Sequence, residues 1–180
     1  IENATSVSDL KETVNSVVIL LSDLNRKGVN VIAIMELMTT LHRRLMQRAF
    51  ELVFPAHLHN SVCILALGTE GRGEHVLKPG QDNAIIITDE FQRDEILVLL
   101  KKWHDLLCVL GYPRKDDSAI FNNASWVNTL DGWHRRLQRW QQLLDQDSVM
   151  DLSIFMDAQP ICGDADLFTQ LNNSLWNRDN

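Results

Sequence analysis

Apolar residues recur at helical spacing near the start of the chain, and this pattern predicts two helices. The first is expected over residues 9–27, with Asp9 and Glu12 as a capping box. The second is expected from about residue 30 to residue 53, and Pro55 stops it. The two helices should pair antiparallel before the first strand. Their apolar positions are Leu10, Val14, Val17, Leu21, Leu24, Val31, Ile34, Met35, Met38, Leu41 and Leu45.

Short apolar runs later in the chain predict strands that alternate with helices. Runs rich in Ile and Val begin at Ser61 and Asn83, and LSIFMD (Leu152–Asp157) is predicted as a third strand. The order predicts an α/β or α+β domain, with a helical pair over residues 1–55 and a core with a Trp-rich helical segment over residues 56–180. Further helices are expected at residues 70–77 and 92–110, around Trp133 and Trp140, and after Asp164.

Composition and charge narrow the class of protein. The chain has 180 residues, of which 45% are hydrophobic and 23% charged, and this suits one globular domain with a real core. The formal net charge of −7 argues against a basic face for nucleic acid. No apolar stretch reaches the roughly 18 residues of a membrane span. We therefore expect neither nucleic acid nor a membrane as a partner.

The cysteines and the first residues bear on the cellular context. Cys63, Cys108 and Cys162 are widely spaced and flanked by apolar residues, which is typical of reduced core cysteines rather than a metal pair or a disulfide framework. This pattern favours a reducing cytoplasm. The chain begins Ile-Glu-Asn without a methionine. We therefore expect a fragment of a longer protein.

The stretch GTEGRGEHVLKPGQDNA, residues 68–84, combines a glycine-rich turn with charged residues. Gly68 and Thr69 follow a predicted strand, where backbone N–H groups and a hydroxyl can hold phosphates. Arg72 follows within one turn, and its cation can take up charge on phosphate oxygens. Asp82 opens the next strand, where a carboxylate can hold magnesium. Gly80 stands two residues earlier, at the position that would share its face.

This stretch resembles the nucleotidyltransferase domain of bacterial signalling proteins that carry upstream cyclic-nucleotide-binding and CBS domains. That family is related to the GlnD-type PII uridylyltransferases, which have the polymerase-β nucleotidyltransferase fold. The family pattern G-S-E-G-R-x-E-Q, followed by T-D-Q-D-N-A, stands here as GTEGRGEH and PGQDNA without a gap. The likeness extends over nearly the whole chain, to the helical lead-in at residues 9–55, to Asn123 and the spaced tryptophans, and to FMDAQ followed by Gly163-Asp164.

The resemblance implies a fold, a cofactor and a set of site residues. It implies a small mixed sheet of the polymerase-β nucleotidyltransferase type, with the N-terminal antiparallel helical pair and flanking helices. It also implies magnesium, a nucleoside triphosphate, an acceptor that is often a protein, and upstream regulatory domains in a longer chain. Asp82 and Asp157 would be the catalytic and metal-binding residues, with Asp157 near the end of the third strand. The nucleotide-binding residues would be Gly68, Thr69, Gly71, Arg72 and Asn83.

The chain departs from the family pattern at informative places. Gly80 replaces the first aspartate of the D-x-D motif, and Gln159 replaces the arginine that follows the third-strand aspartate. These changes leave two hypotheses: a nucleotidyltransferase with a weakened metal site, or a catalytically degenerate nucleotide-sensing or protein-interaction module. Asp116 or Asp117 from a neighbouring loop are candidates to compensate. A purely structural docking domain is a third hypothesis, and it predicts no nucleotide affinity.

Several of the same residues also have structural explanations. Asp82 suits a helix or turn cap, and Asp157 suits a hydrogen-bonded strand end. Glu70 and Glu74 are expected to pair with nearby backbone or with Arg72 rather than to act in acid–base chemistry. We predict that Trp126, Trp133 and Trp140 anchor the core. For the arginines of the second helix, the alternatives are a solvated face and a contact with a partner; they are Arg43, Arg44 and Arg48.

Overall fold

A mixed four-stranded sheet flanked by helices forms the centre of the domain. The computed structural model describes residues 1–73, 82–113, 126–143 and 145–176. The strands are β1 (Val62–Ala66), β2 (Asn83–Ile87), β3 (Val127–Thr129) and β4 (Gln159–Gly163). The helices are α1 (Val7–Arg26), α2 (Val31–Val53), α3 (Gly68–Gly71), α4 (Arg93–Val109), α5 (Leu130–Leu143), α6 (Gln146–Met156) and α7 (Ala165–Trp176).

The strand order is β3-β2-β1-β4. β1 pairs antiparallel with both β2 and β4, whereas β2 pairs parallel with β3. This arrangement confirms the predicted α+β fold with a small mixed sheet, an N-terminal helical pair and flanking helices. Every residue of β1 and β2 is buried, which explains why these two strands read as continuous apolar runs.

α1 begins two residues earlier than the sequence pattern predicts. Ser6 is the N-cap of α1, and its hydroxyl accepts from the Asp9 N–H at 3.2 Å. The Asp9 carboxylate in turn accepts from the Ser6 N–H at 3.1 Å. The capping box is therefore Ser6 with Asp9, and the predicted box of Asp9 with Glu12 is wrong. Asn30 caps α2, and its side-chain oxygen accepts from the Ile32 N–H at 2.8 Å.

The helical pair and the sheet share one hydrophobic core. Leu10 of α1 and Met46 and Phe50 of α2 are fully buried and belong to the same cluster as the residues of β1 and β2. α2 packs against β4 and α4, while α7 packs against β1 and β4. The predicted last helix is confirmed, and Asp164 begins it by accepting from the Asp166 N–H at 2.9 Å.

The run LSIFMD is helical, so the prediction of a third strand there is wrong. Asp145 caps α6 by accepting from the Ser148 N–H at 2.8 Å, and the helix then includes Leu152–Met156. Ser148 and Phe155 are its buried residues, at a spacing that suits one helical face. The strands of this region are β3 and β4, which the sequence pattern missed.

The spaced tryptophans are core anchors, as predicted. Trp126, Trp133 and Trp140 are 5%, 0% and 6% exposed. The Trp133 indole N–H donates to the Ile85 carbonyl at 2.9 Å and so ties α5 to β2. The Arg136 guanidinium lies 4.8–5.8 Å from the three ring centroids and so forms cation–π contacts with the tryptophan cluster. Within the described residues, none of the helices has the length and apolar character to cross a membrane.

Candidate functional site

The glycine-rich turn leaves the end of β1 and forms a single helical turn. α3 covers Gly68–Gly71, where the sequence pattern predicts a helix over residues 70–77. Gly68 has φ +54°, a left-handed conformation that favours glycine at the point where the chain leaves the strand. Thr69, the second residue of α3, is exposed. Residues 74–81 lie outside the described part, as do the predictions for Glu74 and Gly80.

Arg72 and Asp157 meet at this turn although they are far apart in sequence. The Arg72 guanidinium forms an ion pair with the Asp157 carboxylate, and the two side chains are 40% and 32% exposed. Asp157 is the C-cap of α6, immediately before β4. The prediction that Asp157 lies near the end of a strand is therefore wrong, because Asp157 caps the end of a helix. The structure nonetheless brings the predicted phosphate-binding cation and a predicted metal-binding carboxylate together.

Gly71 allows this close approach. A Cβ at position 71 would lie 2.1 Å from the Asp157 carbonyl oxygen and 2.9 Å from the Ala66 carbonyl oxygen. Real side chains do not tolerate such distances, so only glycine fits between the turn and the end of α6. Gly71 thus has a packing role that holds Asp157 beside Arg72. Its predicted contact with nucleotide remains a prediction.

Asp82 lies on the other side of β1. Its carbonyl accepts from the Leu67 N–H at 3.0 Å, which extends the β1–β2 ladder by one bond to the start of the turn. Asp82 is half-buried and precedes β2 directly. The two predicted metal ligands therefore flank the end of β1, with Asp82 on the β2 side and Asp157 on the β4 side.

A buried polar network contacts the turn on its core side. Glu70 is 4% exposed, and its Oε1 lies 2.5 Å from His42 Nε2. His42 Nδ1 in turn lies 2.8 Å from the Tyr112 hydroxyl. The imidazole thus contacts the Glu70 carboxyl group with one ring nitrogen and the Tyr112 phenol with the other. The network joins the turn to α2 and to the segment after α4.

Sequence reasoning predicts a structural role for Glu70 but misses both of its partners. The expected partners were nearby backbone or Arg72, whereas the structure places His42 and Tyr112 there. His42 lies on the α2 face that packs toward the sheet, one residue after Leu41. A histidine bordering an apolar stripe, together with the single tyrosine of the chain, is the signal available in the sequence. Nothing in the spacing connects these residues, since 28 and 70 positions separate them from His42.

Asn83 is buried in the sheet rather than directed to solvent. It is 0% exposed, and its side-chain N–H donates to the Leu65 carbonyl at 3.2 Å. This bond ties β2 to β1. The predicted contact of Asn83 with nucleotide has no support from this placement.

The arginines of α2 have different surroundings. Arg48 donates to the Ala4 carbonyl at 2.7 Å and pairs with Glu51 at 2.6 Å, so it anchors the N-terminal segment on α2. Arg44 forms an exposed pair with Glu2 at 3.2 Å. Arg43 is exposed, and the predicted alternatives of a solvated face and a partner contact both stay open for it.

Two cysteines fit the prediction of reduced core residues. Cys63 and Cys162 are buried free thiols, while Cys108 is partly exposed. Burial raises the pKa of the Cys63 thiol to about 12, and the negative charge of Asp164 acts in the same direction. Burial also raises the pKa of Cys162 well above its ordinary value. Both buried thiols are therefore protonated and unreactive at neutral pH.

Comparison with known families gives one match. A family model described as "Putative nucleotidyltransferase DUF294" matches residues 15–147. The chain belongs to this family. The matched DUF294 segment contains the glycine-rich turn, Asp82 and the partners of Glu70, and it ends before Asp157. No curated protein and no solved structure matches the chain. Membership of DUF294 supports a nucleotidyltransferase role in general terms.

The donor set of this DUF294 domain can be tested for magnesium. Carboxylate oxygens are ligands that magnesium prefers, and Asp82 and Asp157 supply them. The strands that follow these residues are separated by two interstrand spacings, roughly 10 Å. Within the described ranges, no three His, Cys, Asp or Glu side chains gather in a way that suits a metal. Two carboxylates alone do not complete a magnesium site, so an ion here would need further oxygen ligands from substrate phosphates, as in many magnesium sites.

Proposed function

We propose that this domain binds a nucleoside triphosphate with magnesium at the glycine-rich turn and transfers the nucleoside monophosphate to an acceptor. The observation that supports this proposal is the ion pair of Arg72 with Asp157 at the end of β1, with Asp82 on the opposite side of the same strand. A cation that can bind phosphates thus lies at the end of β1, together with carboxylates that can bind a metal. Family membership supports the class of reaction.

Each residue has a defined role in the proposal. Arg72 binds phosphate oxygens and takes up negative charge that develops on them. The exposed Thr69 hydroxyl donates to a phosphate oxygen. Asp82 and Asp157 would hold magnesium, which when bound neutralises the triphosphate and orients it for attack. As the resemblance of the sequence implies, we propose a protein as the acceptor, in a signalling context with upstream regulatory domains.

The Arg72–Asp157 ion pair links phosphate binding to metal binding. In the structure the two charges neutralise each other across the turn. A triphosphate that draws Arg72 away leaves the Asp157 carboxylate available to a cation, and a magnesium ion on Asp157 releases Arg72 from this ion pair. Each ligand therefore removes the competitor of the other, and the two should bind cooperatively.

Calorimetric titration tests the proposal. Nucleoside triphosphates are titrated into the 180-residue chain with and without magnesium, and into the variants Asp82→Ala and Arg72→Gln. We expect magnesium-dependent binding that both substitutions weaken by at least about tenfold. Arg72→Gln removes a charged hydrogen-bonding partner of phosphate, and Asp82→Ala removes a proposed magnesium ligand. Arg26→Gln is the matched control, because Arg26 also forms an exposed ion pair but lies at the end of α1. Absence of binding to any triphosphate would leave only a docking function for this domain.

A second candidate is a nucleotide-sensing or protein-interaction module without catalysis. The observation in its favour is Gly80, since glycine supplies no carboxylate where the family motif has aspartate. The two candidates differ in product formation. If the remaining machinery is competent, Gly80→Asp should raise magnesium-dependent nucleotide transfer above that of the natural chain. Binding without transfer in both proteins would favour the sensing module.

A further inference from the structure

The two N-terminal helices enclose an apolar groove that is open on one side. We call it the hairpin groove. Its walls are Val14, Val17 and Leu21 of α1 and Ile34, Met38 and Leu41 of α2, and its cavity volume is about 740 Å³. His42 and Tyr112 lie at its inner end. Within the described ranges of the chain, the open side of the groove has no covering element.

The exposed fraction of the apolar side chains rises toward the tip of the helical pair. Leu10 is 0% exposed and Val14 is 7% exposed at the inner end. Near the tip, Val18 and Val31, which both line the groove, are 53% and 60% exposed. Ile19 and Ile32 beside them are 64% and 63% exposed. Exposed apolar side chains on both helices at one end of an open groove indicate an interaction site rather than ordinary solvated surface.

The sequence spacing of both helices is that of helices packed in bundles. Apolar residues of α1 recur at intervals of four and three, and those of α2 at intervals of three and four. This heptad spacing places one apolar stripe along each helix, which normally packs into a facing helix. α1 and α2 contact each other but leave the groove open between them. Four members of the stripes, Leu10, Val14, Ile34 and Leu45, are already buried in the monomer. The members that keep exposed surface, and so have capacity for a further helix, are Val17, Leu21 and Leu24 on α1, and Val31, Met38 and Leu41 on α2.

Area and charge indicate what occupies the groove. The groove is lined by α1 from Thr13 to Asn25 and by α2 from Val31 to Leu45, so it is about 20 Å long, and two adjacent helices are about 20 Å wide. Each copy thus offers about 400 Å², and two copies bury about 800 Å², the size of a weak, reversible interface. Residues 1–53 contain six acidic and six basic residues, whereas residues 54–180 contain the other 18 acidic and 11 basic residues. The net charge of −7 thus lies entirely outside the helical pair, which is the segment where two copies repel each other least.

We propose that the hairpin groove is a homodimer interface, in which the helical pair of a second copy packs against it to form a four-helix arrangement. A two-fold axis makes the same apolar face meet itself, so one surface supplies both sides of the contact. The helices then pack as in antiparallel bundles, with the apolar stripes facing inward. This proposal does not depend on nucleotide binding.

Sedimentation equilibrium of the 180-residue chain over a range of concentrations tests the proposal. We expect a species of twice the 20.6 kDa chain mass. Val18→Glu and Val31→Glu place a charge in the interface, and each should raise the dissociation constant by about 100-fold, as loss of a central interface contact does. Both positions tolerate glutamate in the monomer, since Val18 is exposed in mid-helix and Val31 is the first residue of α2, where an acidic side chain is favourable.

Val98→Glu is the matched control, because Val98 is 56% exposed on α4 and does not line the groove. It should leave the dimer unchanged, and circular dichroism should show that all three variants are folded. Three results would overturn the proposal: a natural chain that is monomeric at every concentration, a dimer that persists in Val18→Glu, or equal dissociation of Val98→Glu. A monomer whose groove binds a hydrophobic dye would assign the groove to a small apolar ligand instead, and would also overturn it.

Discussion

His42 Nε2 lies 2.5 Å from Glu70 Oε1, and the two side chains are only 3% and 2% exposed. This contact joins α2 to the glycine-rich turn inside the core. Glu70 Oε2 is buried and has no hydrogen-bond partner among the described residues. Because Oε2 has no hydrogen bond, the contact of Oε1 with His42 compensates the burial of the Glu70 carboxyl group. Loss of the histidine would leave an uncompensated buried group directly beneath the turn.

His42→Leu should destabilise the domain strongly. Removing one partner of a buried ionisable pair typically costs about 3–5 kcal/mol of unfolding free energy. Glu70→Gln keeps a hydrogen-bonding group of the same shape and should cost less, about 1–3 kcal/mol. Urea unfolding followed by tryptophan fluorescence measures both values. Arg44→Ala is the control on the same helix, and it should change stability by no more than about 0.5 kcal/mol because Arg44 is exposed. Equal effects of His42→Leu and Arg44→Ala would contradict a role for the buried pair.

Tyr112 should not ionise in the folded protein near its ordinary pKa. Burial, and then the negative charge of Glu70, raise the pKa of the Tyr112 phenol above 10.0. The folded state holds this proton more tightly than the unfolded state does, so unfolding releases it at alkaline pH. Stability is then complete below pH 10 and falls above it, by at most about 1.4 kcal/mol per pH unit.

The chain contains a single tyrosine, so the ultraviolet absorbance of phenolate reports Tyr112 alone. We expect phenolate to appear only together with loss of the circular dichroism signal. In Tyr112→Phe the alkaline fall in stability should be smaller. Ionisation of a still folded chain near pH 10 would show that Tyr112 is accessible to solvent.

Gly71→Ala should disturb both stability and the site. The new Cβ would overlap the Asp157 carbonyl oxygen at 2.1 Å, and relief requires the end of α6 to move away from the turn. Overpacking of this kind typically costs about 1–3 kcal/mol. Gly132→Ala is the matched control, because its Cβ meets side-chain atoms of Asn128 and Thr129 at 3.0–3.4 Å rather than backbone, and alanine favours the helix. The comparison uses unfolding free energies of the two variants. A cost for Gly71→Ala no larger than that of Gly132→Ala would show that the turn is not tightly packed.

Asp157→Asn should separate phosphate binding from metal binding. Without the carboxylate, the ion pair of Arg72 with Asp157 is lost, and this contact no longer competes with phosphate. Because exposed ion pairs contribute about 0–1 kcal/mol, triphosphate affinity in the absence of magnesium should rise by no more than about fivefold. The increase in affinity on adding magnesium should shrink at the same time. Calorimetry with and without magnesium measures both effects, and an unchanged magnesium dependence would exclude Asp157 as a metal ligand.

One of the three thiols should react quickly in the native protein. Cys108 is partly exposed at the end of α4, whereas Cys63 and Cys162 are buried and protonated. A thiol reagent under native conditions should therefore show one fast site and two slow ones. Cys108→Ser should remove the fast phase and leave the slow ones unchanged. Equal rates for all three thiols would mean that β1 and β4 open readily.

Local patterns predict the long elements well, because each long helix or buried strand carries its own periodicity. They fail for α6, since the five-residue apolar run LSIFM is too short to distinguish a strand from a helix without the cap at Asp145. β4 contains Pro160, a residue that argues against a strand unless the strand lies at an edge, and β4 is such an edge. β3 has only three residues and therefore almost no pattern.

For the candidate site, too, the sequence predicts local features but not contacts between distant segments. The motif itself indicates Arg72 and Asp82, because their chemistry and spacing are local. The contact of Arg72 with Asp157 and the contact of Glu70 with His42 both join distant segments. Such contacts are produced by tertiary packing, which the periodicity of one segment does not encode.

The pairing of β1 with β4 has a consequence for the synthesis of this protein. The register places Cys63 opposite Gly163, so one edge of β1 stays without its paired strand until a segment about a hundred residues later has been translated. While the nascent chain leaves the ribosome, that edge remains available to chaperones or to other chains. The segment that finally closes the edge follows Asp157 directly. A prematurely terminated product would therefore lack the carboxylate at the turn and the strand that completes the sheet, so cellular quality control would meet both defects in the same molecule.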